Sequence, residues 1–391
     1  MTDTLAQQSA LPKVAILFAQ YAAFHVDRVE AAARRLAGRA EVKAVEYATS
    51  SETYAWEPAS GFEHARHVTL FPGSSYDDVG HLARYRAAMK AVADADMVCV
   101  GVPYSERDII ALSWRLKAAG TRCVMMTESK FDDFPRILPR EQAKARLLSC
   151  YRAAIVGGLR QREYLRFLGF GDKPILPGYD SVGVDRIRAQ GTGSEARWAD
   201  RHFLYVGRFV EKKNLPVLLA GYARYRELAG PAARKLVMAG DGDLREALEK
   251  QAGEGVAFTG FLRAEQVSRR LAGALALCLV STEEQWGLVV NEAAAFAVPA
   301  IVSTAVGARD VLVRNGVTGF VVEPQSVEGV ARAMLALSQS EPAWQRYSDA
   351  TAARAHMGDV ERFADAVEAL FDPDSEGATR ALDFWDEMAT S

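Results

Sequence analysis

Glu284 and Glu292 stand with seven residues between them in Glu284-Gln-Trp-Gly-Leu-Val-Val-Asn-Glu292, just after the apolar run 275–280. An ionised carboxylate only accepts hydrogen bonds, and it can take both hydroxyls of a vicinal diol. An apolar run, then Ser281 and Thr282, then a Gly-led amphipathic segment reads as a buried strand turning into a helix. Glu284 then lies in the loop and Glu292 in the helix. The stretch from Gly287 to Glu292 advances about 7 Å at about 1.5 Å per residue, so the two acids are spaced to grip two polyols on either side of a diphosphate. Between them, the N–H groups of a helix start at Trp286, Gly287, Leu288 and Val289 offer a seat for an anion. On its own, such a pair also reads as one loop acid and one exposed helix acid.

Upstream, the apolar stretch 203–206 ends on Gly207 and opens into a basic loop containing Arg208 and Lys213. Glycine permits close approach of backbone to a ligand, while Arg208 supplies a planar fork and Lys213 a point charge, the two cations that suit a diphosphate. A basic loop alone is usually solvated surface; beside a carboxylate pair in the same half of the chain, the donor-site reading gains weight. Asp241-Gly-Asp243 has the spacing that elsewhere holds a divalent ion, yet a turn with glycine at its tip is the better account. The four cysteines show no metal spacing and read as buried thiols.

Taken together, Gly207-Arg208 with Lys213-Asn214, Met238-Ala-Gly-Asp-Gly-Asp243, Phe258-Thr-Gly-Phe261 and the Glu284 to Glu292 segment resemble the C-terminal half of retaining glycosyltransferases of family 4. The resemblance covers about 203–337. It implies the α/β GT-B fold, with two Rossmann-like doubly wound domains facing each other across a cleft. It also implies transfer of a hexose-type sugar, with retention and without metal or other cofactor, from a nucleoside diphosphate sugar to a saccharide or lipid-linked acceptor in glycan or glycolipid biosynthesis. Uridine is the expected base. On this pattern Arg208, Lys213 and Glu284 are the catalytic set, and Gly207, Asp241, Phe261, Leu262, Trp286, Gly287, Leu288, Val289 and Glu292 bind the donor. A nucleotide-sugar epimerase or hydrolase, and a non-catalytic sugar-nucleotide module, remain alternatives, because fold alone does not separate them.

The elements that would position these residues form two alternating α/β units. Strands are expected at 14–18, 41–47, 68–71, 97–102, 122–126 and 153–156, then at 203–206, 235–239, 256–259, 275–280, 300–302 and 320–322, with helices between, including one over 76–93. The polar stretch 188–195 has linker composition. These readings divide the chain into an acceptor-side domain at 1–190, a donor-binding domain at 191–365 and a helical tail at 366–391 that crosses back to the first domain. The first half departs from the family pattern: a bulky 19–25 segment stands where many members have a glycine-rich loop, and Thr127-Glu128-Ser129-Lys130 stands where a histidine is common. Its expected acceptor-side residues are His25, Glu128, Lys130, Tyr179 and Asp180, with a structural role for His25 equally consistent.

A net charge of −3 over 391 residues argues against a nucleic-acid partner. The sequence has neither a signal-peptide pattern nor an apolar run of about 18 residues, and the expected location is the cytoplasm. Arg136, Arg140, Lys144, Arg146, Arg160, Arg162 and Arg166 offer a peripheral contact with anionic lipid, a solvated face being the alternative.

Overall fold

The computed structural model describes residues 10–51, 59 and 61–389. Seven strands form the first sheet: β1 (Lys13–Phe18), β2 (Glu41–Ser50), β3 (Arg66–Ser75), β4 (Met97–Val100), β5 (Arg122–Thr127), β6 (Ala153–Val156) and β7 (Ile175–Leu176). Their order is β3-β2-β1-β4-β5-β6-β7. Six more, β8 (His202–Val206), β9 (Leu236–Ala239), β10 (Val256–Gly260), β11 (Ala274–Leu279), β12 (Ala300–Ser303) and β13 (Gly319–Val322), form the second in the order β10-β9-β8-β11-β12-β13. All neighbours pair in parallel. Helices cover both faces, which is why central strands such as Met97–Val100 and Ala274–Leu279 are apolar and buried at every position.

In each sheet the strand order reverses beside the first strand, between β1 and β4 and between β8 and β11. Open parallel sheets bind ligands outside the strand ends at such switch points. The loops after β5, β8 and β11 carry Glu128, Arg208 and Glu284.

Two expected elements differ, and one strand is additional. The helix over 76–93 is a short turn, Tyr76–Asp78, and then a helix, His81–Ala91, separated at Gly80. The 188–195 stretch is helical up to Gly191, in helix Val184–Gly191. Val184 and Ile187 bury an apolar face there against Ala295, and a Cβ on Gly191 would lie 2.4 Å from the Phe296 ring. Contact with the second half thus overrides the linker composition. The short strand β7 was not visible as an apolar run.

The chain returns to the first sheet at helix Glu361–Phe371, ahead of position 366. Phe363, Ala366, Val367 and Leu370 join the core formed by Val14, Ile16, Val29 and Ile155. A charged seam locks the same helix to helix Ala23–Arg35: Arg35 pairs with Asp365 at 2.5 Å and with Glu368 at 3.2 Å, and Arg380 pairs with Asp365 at 2.7 Å. Asp365 is buried. Removing one member of a buried charge cluster leaves the others uncompensated, so Asp365→Ala is expected to lower unfolding free energy by roughly 2 kcal/mol, discounted because both arginines are partly solvated. Urea denaturation checks this, and an unchanged midpoint would show that the seam is not structural.

Candidate functional site

The loop after β8 is shaped by backbone contacts that tolerate no side chain. Gly207 and Gly240 both have positive φ, and a Cβ on Gly240 would lie 1.9 Å from the Gly207 carbonyl oxygen. The Phe209 N–H donates to the Asp241 carbonyl at 2.7 Å, so the turns after β8 and β9 support each other. Asp241 is occupied in its own turn, accepting from Gly242 N–H at 2.8 Å and from Arg245 at 2.9 Å. The buried Tyr205 hydroxyl donates to the Arg208 carbonyl at 2.9 Å.

The short turn Glu211–Lys213 follows, ended by Asn214 in the left-handed region at φ 57°. The Asn214 amide donates to the carbonyls of Val280 and Pro324 at 3.0 and 2.6 Å, and Thr282 N–H donates to the Lys212 carbonyl at 2.9 Å. These bonds bring the basic loop against the end of β11. As a result the Lys213 ammonium forms an ion pair with the Glu284 carboxylate, which also accepts from Ser281 Oγ at 3.2 Å. Arg208 is exposed and has no side-chain hydrogen bond among the described residues. Its charge and that of Glu284 both act on the Tyr205 hydroxyl, which burial holds above its usual pKa. Arg208, Lys213 and Glu284 therefore share one corner of the second half.

The helix after Glu284 starts at Val289 and runs to Ala295, later than the expected start at Trp286. Gly287, at φ +101°, turns the chain: a Cβ there would press to 2.8 Å on Leu279. Trp286 is buried, its indole N–H donating to Asn291 Oδ1 at 2.9 Å, so its ring is packing rather than lining. Glu292 is half-buried, and burial pushes its carboxyl up to about 7, partly offset by Arg186. Phe261 is 64% exposed at the loop after β10, with Leu262 half-buried beside it.

Across from this corner the first half presents carboxyls. Glu128 follows β5 and is half-buried; Asp180 follows β7 and is buried, its carboxyl within hydrogen-bond reach of the Glu128 carboxyl. Burial pushes the Glu128 carboxyl up, Arg28 pulls it back, and the charge of Glu284 adds to the rise. Burial and then the charge of Glu128 hold Asp180 well above the usual range, against the pull of Arg28. Burial thus opposes ionisation of both acids, and Arg28 counters part of that shift at each. A Cβ on Gly157 would stand 2.3 Å from Asp180 Oδ2 and 2.6 Å from the Trp286 ring, so a glycine is what lets the halves meet here.

Arg28 carries no sequence signal for this role. It is buried in helix Ala23–Arg35, donates from Nε to the Ser181 carbonyl at 2.9 Å, and lies 5.2 Å from the Tyr179 ring centroid. Tyr179 is thus a buried support for the arginine. Two other expected acceptor-side residues turn inward. His25 packs 4.1 Å from the ring centroids of Phe18 and Phe24 and accepts from Ala22 N–H at 3.1 Å, with burial holding its pKa well down. Lys130 is buried and pairs with Asp133 at 2.8 Å, so it braces its loop instead of facing a ligand.

Residues 194–354 match the family model described as "Glycosyl transferases group 1". An uncharacterised glycosyltransferase of Methanocaldococcus jannaschii is 29% identical over 137 residues, 34% of this chain and 34% of that protein, so the match spans about a third of that relative's length. Among solved structures, a sucrose-phosphate synthase from Thermosynechococcus elongatus superposes with a TM-score of 0.68 at 18% identity, covering 92% of this chain and 98% of the other. HepE of Anabaena in complex with UDP and glucose gives 0.66 at 15% identity, covering 92% and 100%.

The elevated Glu292 pKa has a definite sign. A carboxyl whose folded pKa is raised contributes stability that is present below its unfolded pKa of about 4.5 and is lost as pH rises through about 7. Relative to Glu292→Gln, the chain should lose on the order of 3–4 kcal/mol of stability between these limits, at roughly 1.4 kcal/mol per pKa unit. Parallel stability profiles of the two proteins from pH 4.5 to 8 would count against a desolvated Glu292. The two parallel sheets and their facing strand ends give this chain the GT-B fold, its second half matching the glycosyl transferases group 1 model.

Proposed function

We propose that the chain transfers a hexose-type sugar from a nucleoside diphosphate sugar, UDP-linked in the first instance, to a saccharide or lipid-linked acceptor. The observation that carries this reading is the convergence of Arg208, Lys213 and Glu284 on one corner opposite Glu128 and Asp180. Lys213 and Arg208 would neutralise the diphosphate as it leaves, the largest electrostatic demand of the reaction. Glu284 would accept from a diol of the sugar, and Glu292 from the ribose diol. That HepE, which shares the fold, is described in complex with UDP and glucose supports this choice of donor class.

Retention follows, on this reading, from front-face attack on an ion-pair-like transition state, the acceptor hydroxyl arriving on the same face as the departing diphosphate. The cations already present supply the leaving-group charge balance without a metal. Residues 1–190 would serve the acceptor, 191–365 the donor, and closure of the cleft would exclude the water that otherwise hydrolyses the donor.

Thermal shift against a panel of nucleoside diphosphate sugars tests the donor, because a ligand of the folded state raises the midpoint above its Kd. Glu284→Ala is expected to weaken the intact donor roughly 10- to 100-fold, the value of a charged hydrogen bond, and free UDP much less. Equal weakening of both would remove Glu284 from the sugar. Release of UDP from donor alone, at the same rate with and without acceptors, would favour hydrolysis over transfer.

A further inference from the structure

Arg160 belongs by sequence to a basic cluster expected on a solvated or lipid-facing surface, yet its side chain is only 19% exposed and turns inward. It stands after β6, in the first turn of helix Leu159–Leu165. All three guanidinium nitrogens are engaged. Nε donates to Asp310 at 2.6 Å, Nη1 to Asp132 at 2.8 Å and to the Thr304 carbonyl at 3.2 Å, and Nη2 to the Val306 carbonyl. A planar fork spread over four acceptors is a geometry that arginine alone supplies. Asp132 lies in the first half, in the loop that Glu128 opens after β5, and the other three acceptors lie in the segment after β12 of the second half.

The segment held by Arg160 is the one that shapes the Glu284 loop. Val306 pairs with Glu284 in an isolated parallel bridge, and the Ala308 N–H donates to the Trp286 carbonyl at 3.0 Å. Gly307 sits between these contacts, where a Cβ would stand 1.9 Å from the Gln285 carbonyl oxygen. Gln161, fully buried beside Arg160, donates from Nε2 to the same Gln285 carbonyl at 3.2 Å. The backbone from Glu284 to Trp286 is therefore fastened from two sides, by its own half at 306–308 and by the first half at 160–161. The Arg208 loop differs, since its contacts to Asp241 and Tyr205 lie within the second half.

We propose that Arg160 is a positioning residue for sugar transfer: it sets the Glu284 loop in register with the 128–133 loop across the cleft and leaves the diphosphate to Arg208 and Lys213. Its part in transfer rests on the transferase reading, whereas its hold on the Glu284 loop does not. Misplacing a reacting group by about 1 Å can cost on the order of 100-fold in rate. A guanidinium away from the diphosphate can thus govern the chemical step without adding to nucleotide affinity. Lysine at this position would keep the positive charge between Asp132 and Asp310, but its single nitrogen cannot reach all four acceptors at once. Arg160→Lys therefore removes the register and spares the charge balance, whereas alanine would leave Asp310, 15% exposed, without its cation.

Amide hydrogen exchange of the full chain without ligand reads the hold directly. In Arg160→Lys the segments 284–286 and 306–308 should exchange about 10-fold faster, with β8 and β9 unchanged. In turnover, kcat of Arg160→Lys should fall about 10-fold or more while the donor KM and the Kd of free UDP stay within about 2-fold of the unsubstituted chain. Asp132→Ala cuts only the first-half end of the bridge, and it should lower kcat about 3-fold or more with the thermal midpoint and the exchange of 306–308 retained. Unchanged exchange in Arg160→Lys, or unchanged kcat in either variant, overturns the proposal. So does a fall in kcat matched by an equal loss of UDP affinity, which a plain brace between the halves would give. Faster exchange in Arg160→Lys, when the unsubstituted chain binds no nucleoside diphosphate sugar, would instead sink the transferase reading and leave the hold on the Glu284 loop standing.

Discussion

Two acids, Glu128 and Asp180, meet where the two sheets face, with the charge of Glu284 acting on Glu128, and burial opposes ionisation of the pair. Two kinds of help are built in. Lys213 neutralises Glu284 directly, and the buried Arg28 offsets part of the charge of the other two. Against that pull, burial holds both carboxyls above the usual carboxylate range. The surrounding backbone answers the same constraint: Gly157 has no side chain because Asp180 and Trp286 occupy its space, and Asn214 adopts a left-handed conformation so that its amide can tie the Lys213 loop to β11.

Much of the frame was legible because parallel strands covered on both faces must be apolar throughout, and runs such as 97–100 and 274–279 leave little choice. The convergence of Arg208, Lys213 and Glu284 was legible as well, since all three sit at strand ends and topology alone brings strand ends together. Arg28 was not, because one arginine inside a helix has no spacing to betray it. Its function arises from a carbonyl at Ser181 and a ring at Tyr179, more than 150 residues away in the chain. Lys130 misled for the opposite reason: a cation beside a strand end reads as a ligand group, yet Asp133, three residues on, claims it. The 188–195 stretch shows the same limit, its polar composition yielding to contacts that Val184 and Ile187 make elsewhere.

The two halves are coupled by more than the cleft. Helix Glu361–Phe371 leaves the second sheet and packs on the first through Phe363, Ala366 and Val367, with the Arg35 seam at its edge. Asn291 works at the opposite side of the same junction: its amide donates to the carbonyls of Asp180 at 2.8 Å and Gly358 at 3.1 Å, while its oxygen accepts from Trp286. One side chain in the helix that carries Glu292 thus fixes the backbone of Asp180 in the first half. Any relative motion of the halves has to turn about this buried junction, since breaking it would strand three polar groups away from water.

On the proposed reading, the ion pair of Lys213 with Glu284 sets how a donor would enter. Each side chain is 14% exposed, so both have already given up most of their hydration in the free chain, and a ligand need not strip it. In the proposed complex a diphosphate would offer Lys213 a new anion while a sugar diol would offer Glu284 new donors, so each group would exchange one partner for another and neither would be left bare. Exchange of this kind keeps the cost of binding low, and it holds the charges in place before the bond to the leaving group lengthens, which is the condition under which they lower a barrier. Arg208 differs in being exposed and, among the described residues, without a side-chain partner. It is the charge an approaching diphosphate meets first, and its approach requires no existing contact to break.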